Sequence, residues 1–377
     1  MKVLIVDDSA LARRLLVEIL SAEGDMEVAA ARSGTEALAE IVRFDPDVVT
    51  LDVTMPGMDG LACLRRIMVE HPKPVLMISG LTAEGAETTV EALRLGAVDV
   101  VQKPGGSGLG LPTVRSEIVA KVRAAAGARL RRSRNLRERL RLTRERIIGD
   151  RPAPVAPAEP RRQGDIPRAD TAVPEGEAPA ADVPGVVLVG VSTGGPGALE
   201  EILPLLPAGF PWPVVVAQHM PQNFTATLAR RLDDVCAVRV VEAALPVPLE
   251  PGIVVIARGG ADAVLAVRGG RLVVAPVPVD TARPWHPSVD RLVESALRLV
   301  RPDRLVGVQL TGMGSDGAAA MADLHARGGR TIAESEESAV VFGMPHELIR
   351  RGGADAVLAV EDIAAQLTRW LPATGAR

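Results

Sequence analysis

From Met1 to about Ala126, short apolar runs alternate with longer stretches whose apolar residues recur every three or four positions. The runs VLIV, EVAA, VVTLD, VLMIS and DVVQK have the length of strands, and their near-continuous apolar character suits strands buried on both faces. Between them LARRLLVEIL, EALAEIVRF, LACLRRIMVE, TTVEALRLG and a last segment near 117–126 carry the period of amphipathic helices. Such a βα rhythm predicts a doubly wound parallel sheet. From Gly185 the rhythm resumes with VVLVGV, a helix after Pro196, PVVVAQ and a helix around 223–232. IVVIA, LAV and LVVA are expected as hairpin strands, followed by a helix from Ser288, the strand RLVGVQL, a helix after Asp316 and a terminal helix. The pattern therefore predicts two α/β domains, over 1–126 and 185–372, the second mostly parallel with an antiparallel hairpin.

The segment between them, 127–184, is of another kind. Residues 129–146 hold nine Arg against two Glu, with Leu130, Leu136, Leu140 and Leu142 spaced loosely like one helical face. This is either a solvated continuation of the preceding helix or a basic amphipathic surface for a partner. From Arg151 to about Pro184 the chain turns to Pro, Ala, Glu and Asp without Leu, Phe or Trp, too little apolar surface to offset ordering entropy. It is expected to act as a tether, with a mean span of about 30 Å for a flexible chain of this length.

Composition narrows the function. Hydrophobic residues make up 47% but aromatics only 2%, so the cores are expected to be built from Val, Leu, Ile and Ala. A net charge of −4 over 377 residues gives no electrostatic reason to expect nucleic acid as a partner. Cys63 and Cys236 stand far apart and outside any CxxC pattern, arguing against zinc and thiol redox chemistry, and both are expected to be small buried residues. The start MKVLIVDD turns acidic too early for a signal peptide, and no run reaches the roughly 18 apolar residues of a membrane span, so a cytoplasmic protein without membrane insertion is expected.

Chemistry gathers where the apolar runs end. Asp7 and Asp8 follow VLIV, Asp52 ends VVTLD, Ser79 ends VLMIS and Lys103 follows DVVQ. In a doubly wound sheet these positions lie outside the carboxyl ends of the strands. Three carboxylates at one point need a cation, and Mg²⁺ fits a set of oxygen ligands that leaves room for a phosphoryl group. Asp52 is then placed to act as the nucleophile of aspartyl-phosphate chemistry, with Lys103 and Ser79 on the phosphoryl oxygens.

In the second half Ser192 lies in Gly190-Val191-Ser192-Thr193-Gly194-Gly195 after VVLVGV, a match to the G-x-S-x-G turn that exposes a nucleophilic hydroxyl. A Gly/Ser loop opening a helix can equally cradle phosphate. His219 follows VVVAQ and Asp316 follows VQLTGMGS, so a hydroxyl, a base and its orienting carboxylate fall at three strand ends. The other order, Ser then acid then His, makes His325 or His346 the base with Asp303 or Asp316; a lone helical His such as His325 is more often a surface or satisfied core residue. His71 and His286, next to prolines, read as loop residues and not as ligands. The backbone N–H of Met313, in Thr311-Gly312-Met313-Gly314, is a candidate oxyanion donor, although glycines there can serve only the turn.

VLIVDDSALARRLL, VVTLDVTMPGMDGL and AVDVVQKP resemble a response-regulator receiver domain, which implies a flavodoxin-like fold with a five-stranded parallel sheet. The resemblance makes Asp52 the phosphoacceptor, Asp7 and Asp8 partners in holding Mg²⁺, and Lys103 and Ser79 the readers of the phosphoryl group; where that family usually carries an aromatic switch residue, this chain has Val100. VGVSTGGPGAL, VVVAQHMPQNFT, HPSVDRL, QLTGMGSDGAAAM and GGRTIAESEESAVVFGMP resemble the catalytic domain of the chemotaxis protein-glutamate methylesterases. That resemblance implies Ser192 as nucleophile, His219 as base and then acid, and Asp316 as orienting acid. It also implies methylated chemoreceptors as substrate, deamidation of particular glutamines, a chemotaxis histidine kinase as phosphodonor and no cofactor in the catalytic domain. Arg258-Gly259-Gly260 departs from the family, which typically shows Pro-Gly followed by His there. A receiver fused through a tether to a catalytic domain predicts a switch, with the receiver packed over the Ser192 edge until Asp52 is phosphorylated.

Overall fold

A computed structural model describes residues 1–80, 83–103, 111–129 and 183–371, with backbone alone at 83–84 and 111–114. Nearly all of the expected tether and the arginine-rich segment lie outside the described residues.

The first domain runs β1 (Lys2–Val6), α1 (Ala10–Ser21), β2 (Glu27–Ala31), α2 (Gly34–Phe44), β3 (Val48–Asp52), α3 (Gly60–Glu70), β4 (Val75–Ser79), α4 (Ala83–Arg94), β5 (Asp99–Gln102) and α5 (Leu111–Ala126). Its five strands are all parallel in the order β2-β1-β3-β4-β5, the doubly wound flavodoxin-like sheet expected. Helix starts are fixed locally: the side chains of Ser9, Ser33 and Asp59 cap α1, α2 and α3 by accepting from N–H groups of the first turn. β3 and β4 are buried along their whole length, which is why they read as unbroken apolar runs.

The second domain runs β6 (Val186–Val191), α6 (Gly195–Ile202), β7 (Val214–Gln218), α7 (Gln222–Val235), β8 (Arg239–Ala243), β9 (Val247–Pro248), β10 (Ile253–Ala257), β11 (Asp262–Arg268), β12 (Arg271–Val277), α8 (Val289–Leu299), β13 (Leu305–Gln309), α9 (Ala318–Ala326), β14 (Arg330–Glu334), α10 (Met344–Arg350), β15 (Ala356–Leu358) and α11 (Val360–Trp370). A seven-stranded parallel sheet has the order β15-β14-β13-β6-β7-β10-β8. From β6 the chain adds β7, then the edge strand β8, then β10 between those two, and returns to the other side of β6 with β13. The strand order therefore reverses between β13 and β7, and such a switch point leaves a crevice at the carboxyl ends of the strands.

Two expectations are corrected. IVVIA is not a hairpin strand: β10 is buried throughout and pairs in parallel with β7 and β8, as a continuous apolar run favours, while the antiparallel hairpin is β11–β12 with β9 beside it. Cys63 is fully buried as expected, but Cys236 is only half-buried at the end of α7. Burial pushes the two thiols up to about 11 and about 12, so both stay protonated and unreactive at neutral pH. Among the described residues, no helix is long and apolar enough to cross a membrane.

Candidate active site and phosphoacceptor site

Three neighbouring strands deliver the hydrolytic candidates. Val191 at the end of β6 is in register with Gln218 at the end of β7, so the next residue on each strand, Ser192 and His219, are neighbours across the sheet. The ladder continues past the strands: His219 N–H donates to Val191 O at 3.0 Å, Leu310 N–H to Gly190 O at 2.9 Å and Ser192 N–H to Thr311 O at 2.9 Å. The Gln218 amide, which sequence reasoning missed, donates to both Ser192 O (3.0 Å) and His219 O (3.1 Å) from a buried position. It locks the two turns against each other. Gly194, with φ +82°, makes the turn that opens α6.

His219 Nε2 is 2.8 Å from Asp316 Oδ2, which leaves Nδ1 as the nitrogen available to a hydroxyl. Ser192 Oγ and His219 Nδ1 are both buried and neither has a hydrogen-bond partner here, an unmatched donor and acceptor on adjacent strand ends. Asp316 also accepts from Val289 N (2.7 Å), Asp290 N (3.1 Å) and Ser288 Oγ (3.1 Å), and its own carbonyl accepts from Gln309 Nε2 at 2.7 Å. Burial pushes the Asp316 carboxyl upward, but the bond and charge of His219 and the Val289 and Asp290 N–H groups outweigh it. The carboxyl is held below the usual range, and it is ionised at neutral pH. The indole of Trp285 stacks on the His219 ring, with centroids 5.4 Å apart and planes 9° apart.

The loop after β13 passes against the serine: a Cβ on Gly312 would lie 2.6 Å from Ser192 Cβ, so only glycine permits this approach. Buried Glu334 accepts from Thr311 N (2.8 Å), Gly312 N–H donates to Val341 O, and Gly312 O accepts from the N–H groups of Gly343 and Met344. The Met313 N–H takes no part in that network. The rival bases stand elsewhere: His325, on α9, pairs with Asp355 at 3.1 Å, and His346 packs on Phe342. His71 ends α3, and His286 bonds Asp262 through Nδ1 at 2.9 Å.

In the first domain one carboxylate oxygen each of Asp7, Asp8 and Asp52 lies within 4.8 Å of the others, with Asp7 and Asp52 buried and Asp8 exposed. Lys103 Nζ is 2.7 Å from Asp52 Oδ2 and 3.0 Å from Asp7 Oδ2. Burial raises the Asp52 carboxyl, and the Asp7 charge adds to this against the opposing pull of Lys103. Burial lowers Lys103, but the two aspartates outweigh it and hold it above its ordinary value. Crowded acids of this kind, three carboxylates beside the one ammonium of Lys103, fit a divalent cation bound through oxygen ligands. Ser79 ends β4 fully buried, its hydroxyl donating to Gly80 O at 3.2 Å, and Val100 is buried in the core.

The two domains touch beside the Ser192 turn. Thr193 Oγ1, next to Ser192, donates to Asp99 Oδ2 of β5 at 2.6 Å, and Gly194 N–H donates to Val98 O at 3.0 Å. Asp99 is paired at 3.3 Å with buried Lys121. α4 packs against α6 and α7, where Arg231 bridges Glu91 (3.1 Å) and Glu200 (2.8 Å) and Arg230 meets Glu87 at 2.8 Å. Arg129 binds Glu336 at 2.7 Å, and Val340 packs against the core of the first domain.

A five-stranded doubly wound domain with acids at its strand ends, seated on an α/β domain with Ser192, His219 and Asp316 at a switch point, defines a response regulator with a hydrolase-type output domain. Residues 3–109 match the response regulator receiver domain family and residues 187–367 the CheB methylesterase family. A protein-glutamate methylesterase/protein-glutamine glutaminase of Rhodospirillum rubrum is 55% identical over 376 residues, covering 99% of this chain and 97% of the relative. One of Rhodopseudomonas palustris is 51% identical, covering 98% of both chains. The crystal structure of the Thermotoga maritima CheB methylesterase catalytic domain is 39% identical, covers 49% of this chain and 97% of that one, and has a TM-score of 0.47. The chain belongs to the protein-glutamate methylesterase/protein-glutamine glutaminase family.

Proposed function

We propose that this chain is a phosphorylation-activated, cytoplasmic methylesterase that hydrolyses glutamyl γ-methyl esters on chemoreceptors and deamidates receptor glutamines at the same site. The observation that carries the reading is the convergence of Ser192, His219 and Asp316 on one sheet edge, with His219 Nε2 already tied to Asp316. That bond favours the tautomer with the proton on Nε2 and leaves the lone pair on Nδ1 free to accept the serine proton. His219 takes the Ser192 proton as Oγ attacks the ester carbonyl, and Asp316 stabilises the imidazolium that forms. The oxyanion turns toward the Met313 N–H. The bond to methoxide then breaks, His219 returns its proton to give methanol, and water attacks the acyl-serine by the same base catalysis to release glutamate. With glutamine the leaving group is ammonia.

In the receiver, an Asp52 oxygen attacks the phosphorus of a donor, the chemotaxis histidine kinase, and the donor's own bond to phosphorus breaks. Asp7, Asp8 and Asp52 would hold Mg²⁺, which when bound neutralises the crowded carboxylates and the incoming phosphoryl charge. Lys103 exchanges its bonds to Asp7 and Asp52 for phosphoryl oxygens, and Ser79 turns its hydroxyl to the same group. The contacts of Asp99 and Val98 with Thr193 and Gly194 support a closed state in which the receiver covers the turn beside Ser192. Phosphorylation opens it only as far as the phosphoryl group interacts more favourably with the open arrangement.

Methanol release from methylated receptor membranes tests the reading. Ser192→Ala and His219→Ala, if folded, should each lose about 10⁴-fold or more in activity. A Ser192→Ala protein retaining a tenth of wild-type activity rules the mechanism out.

A further inference from the structure

Aromatic residues are scarce in this chain, with three Trp, four Phe and no Tyr. Trp212 packs against the apolar core and Trp370 lies beneath Arg330. The third, Trp285, stands in the half-exposed loop between β12 and α8 and lies nearly parallel to the imidazole of His219. The spacing of 5.4 Å is that of an offset stack. The indole also approaches the loop of Met313: a Cβ on Gly314 would lie 3.5 Å from Trp285 Nε1.

Hydrogen bonds to one buried carboxylate hold this loop in place. Asp262, fully buried at the start of β11, gathers four donors from it and from α8. Its Oδ1 accepts from Ser288 N–H at 2.8 Å and lies 2.9 Å from His286 Nδ1, and its Oδ2 accepts from Asp280 N–H at 2.9 Å and Arg291 Nη1 at 2.7 Å. Trp285 is thus bracketed on both sides by residues bound to one carboxylate, while Ser288, two residues on from His286, supports Asp316. His219, by contrast, has one side-chain hydrogen bond, to Asp316, and its ring can rotate about the broad terminal torsion of histidine. Rotation in that torsion changes the direction in which Nδ1 points relative to the neighbouring Ser192 turn. A ring lying flat against a fixed indole cannot rotate without displacing it.

We infer that Trp285 is a positioning residue for the hydrolytic step: its indole fixes the plane of the His219 imidazole so that Nδ1 faces Ser192 Oγ. The same face offers π density to the imidazolium that forms as the serine attacks, an attraction absent while the ring is neutral. The inference rests on the Ser192–His219–Asp316 reading given above. Because the attraction exists only when the ring is charged, its loss lowers kcat and kcat/KM together and leaves KM nearly unchanged.

The test uses the full chain with Mg²⁺ and a small acyl phosphate, and compares Trp285→Leu with Trp285→Phe. Methanol release is measured over a range of methylated receptor concentrations. A second readout is the rate at which a phosphonofluoridate labels Ser192, where Oγ bonds to phosphorus, fluoride leaves and His219 takes the proton. Trp285→Leu should lower kcat and the labelling rate by a similar factor, roughly 2- to 30-fold, and Trp285→Phe should recover most of the loss. Circular dichroism and melting curves establish that both variants are folded, and Ser192→Ala and His219→Ala are run beside them. A folded Leu variant with wild-type kcat, a Phe variant no better than Leu, or a raised KM at constant kcat overturns the role given to Trp285. If Ser192→Ala or His219→Ala stays active, the triad reading itself fails.

Discussion

Replacing Asp316 by Asn keeps the shape of the side chain and removes its charge. The carboxylate receives His219 Nε2 and Val289 N–H on one oxygen, and Ser288 Oγ and Asp290 N–H on the other. An amide has a single acceptor oxygen, so its NH₂ must face either Val289 N–H or Asp290 N–H, and one buried backbone donor is left unmatched at about 1–3 kcal/mol of stability. Turned toward His219, the NH₂ also forces the imidazole proton onto Nδ1, where the ring can no longer accept from Ser192. Turned away, it leaves a neutral oxygen beside a ring that must become cationic. Unit charges at the 2.8 Å separation of Nε2 and Oδ2 attract by about 6 kcal/mol at an effective dielectric of 20, equivalent to about 10⁴ in rate. The same change in another Ser-His-Asp triad lowers kcat by a comparable factor of about 10⁴. Steady-state methanol release from methylated receptor membranes, with folding checked by circular dichroism, measures the loss. A folded Asp316→Asn enzyme within tenfold of wild-type kcat refutes the role given to this carboxylate.

Other perturbations probe the remaining parts. Mg²⁺ should raise the melting temperature of the wild-type protein and do so far less for Asp52→Asn, with about 2.7 kcal/mol gained at a hundredfold excess over Kd; equal shifts in the two would argue against Asp52 as a ligand. Arg231→Ala removes the bridge to Glu91 and Glu200 at the domain contact, so methanol release without phosphodonor should rise about two- to fivefold and donor-stimulated release should not; unchanged basal release would show that this contact does not hold the closed state. Burial raises Asp262 and Asp316, but their hydrogen bonds outweigh it and hold both below the usual carboxylate range. Their contribution to stability is therefore present above the unfolded value of about 3.9 and is lost as pH falls through the lower folded values. Denaturant titrations between pH 6 and pH 3 should show stability falling below about pH 4, less steeply in Asp262→Asn.

The strands that place the site were legible because they are buried on both faces: β3, β6, β7 and β13 stand out as apolar runs, Asp52 ends the first, Ser192 and His219 follow the next two directly, and Asp316 lies in the loop after the last. β8 and β15 escaped notice as half-exposed edge strands, and β14 because it ends in a buried glutamate. IVVIA was misassigned because an apolar run does not state which neighbour it pairs with. Gln218, Glu334, Ser288 and Trp285 act through contacts between distant segments, and neither period nor motif announces such contacts. The bond from Thr193 to Asp99 is of the same kind, since it joins residues 94 positions apart.

The most direct measurement is mass spectrometry of the full chain after brief exposure to a phosphonofluoridate, with and without Mg²⁺ and a small acyl phosphate. A single adduct is expected, on the peptide bearing Ser192, forming faster with the phosphodonor in the wild type and at an unchanged rate in Asp52→Asn. An adduct elsewhere, or labelling of Ser192 that ignores the phosphodonor, contradicts a receiver-governed serine hydrolase.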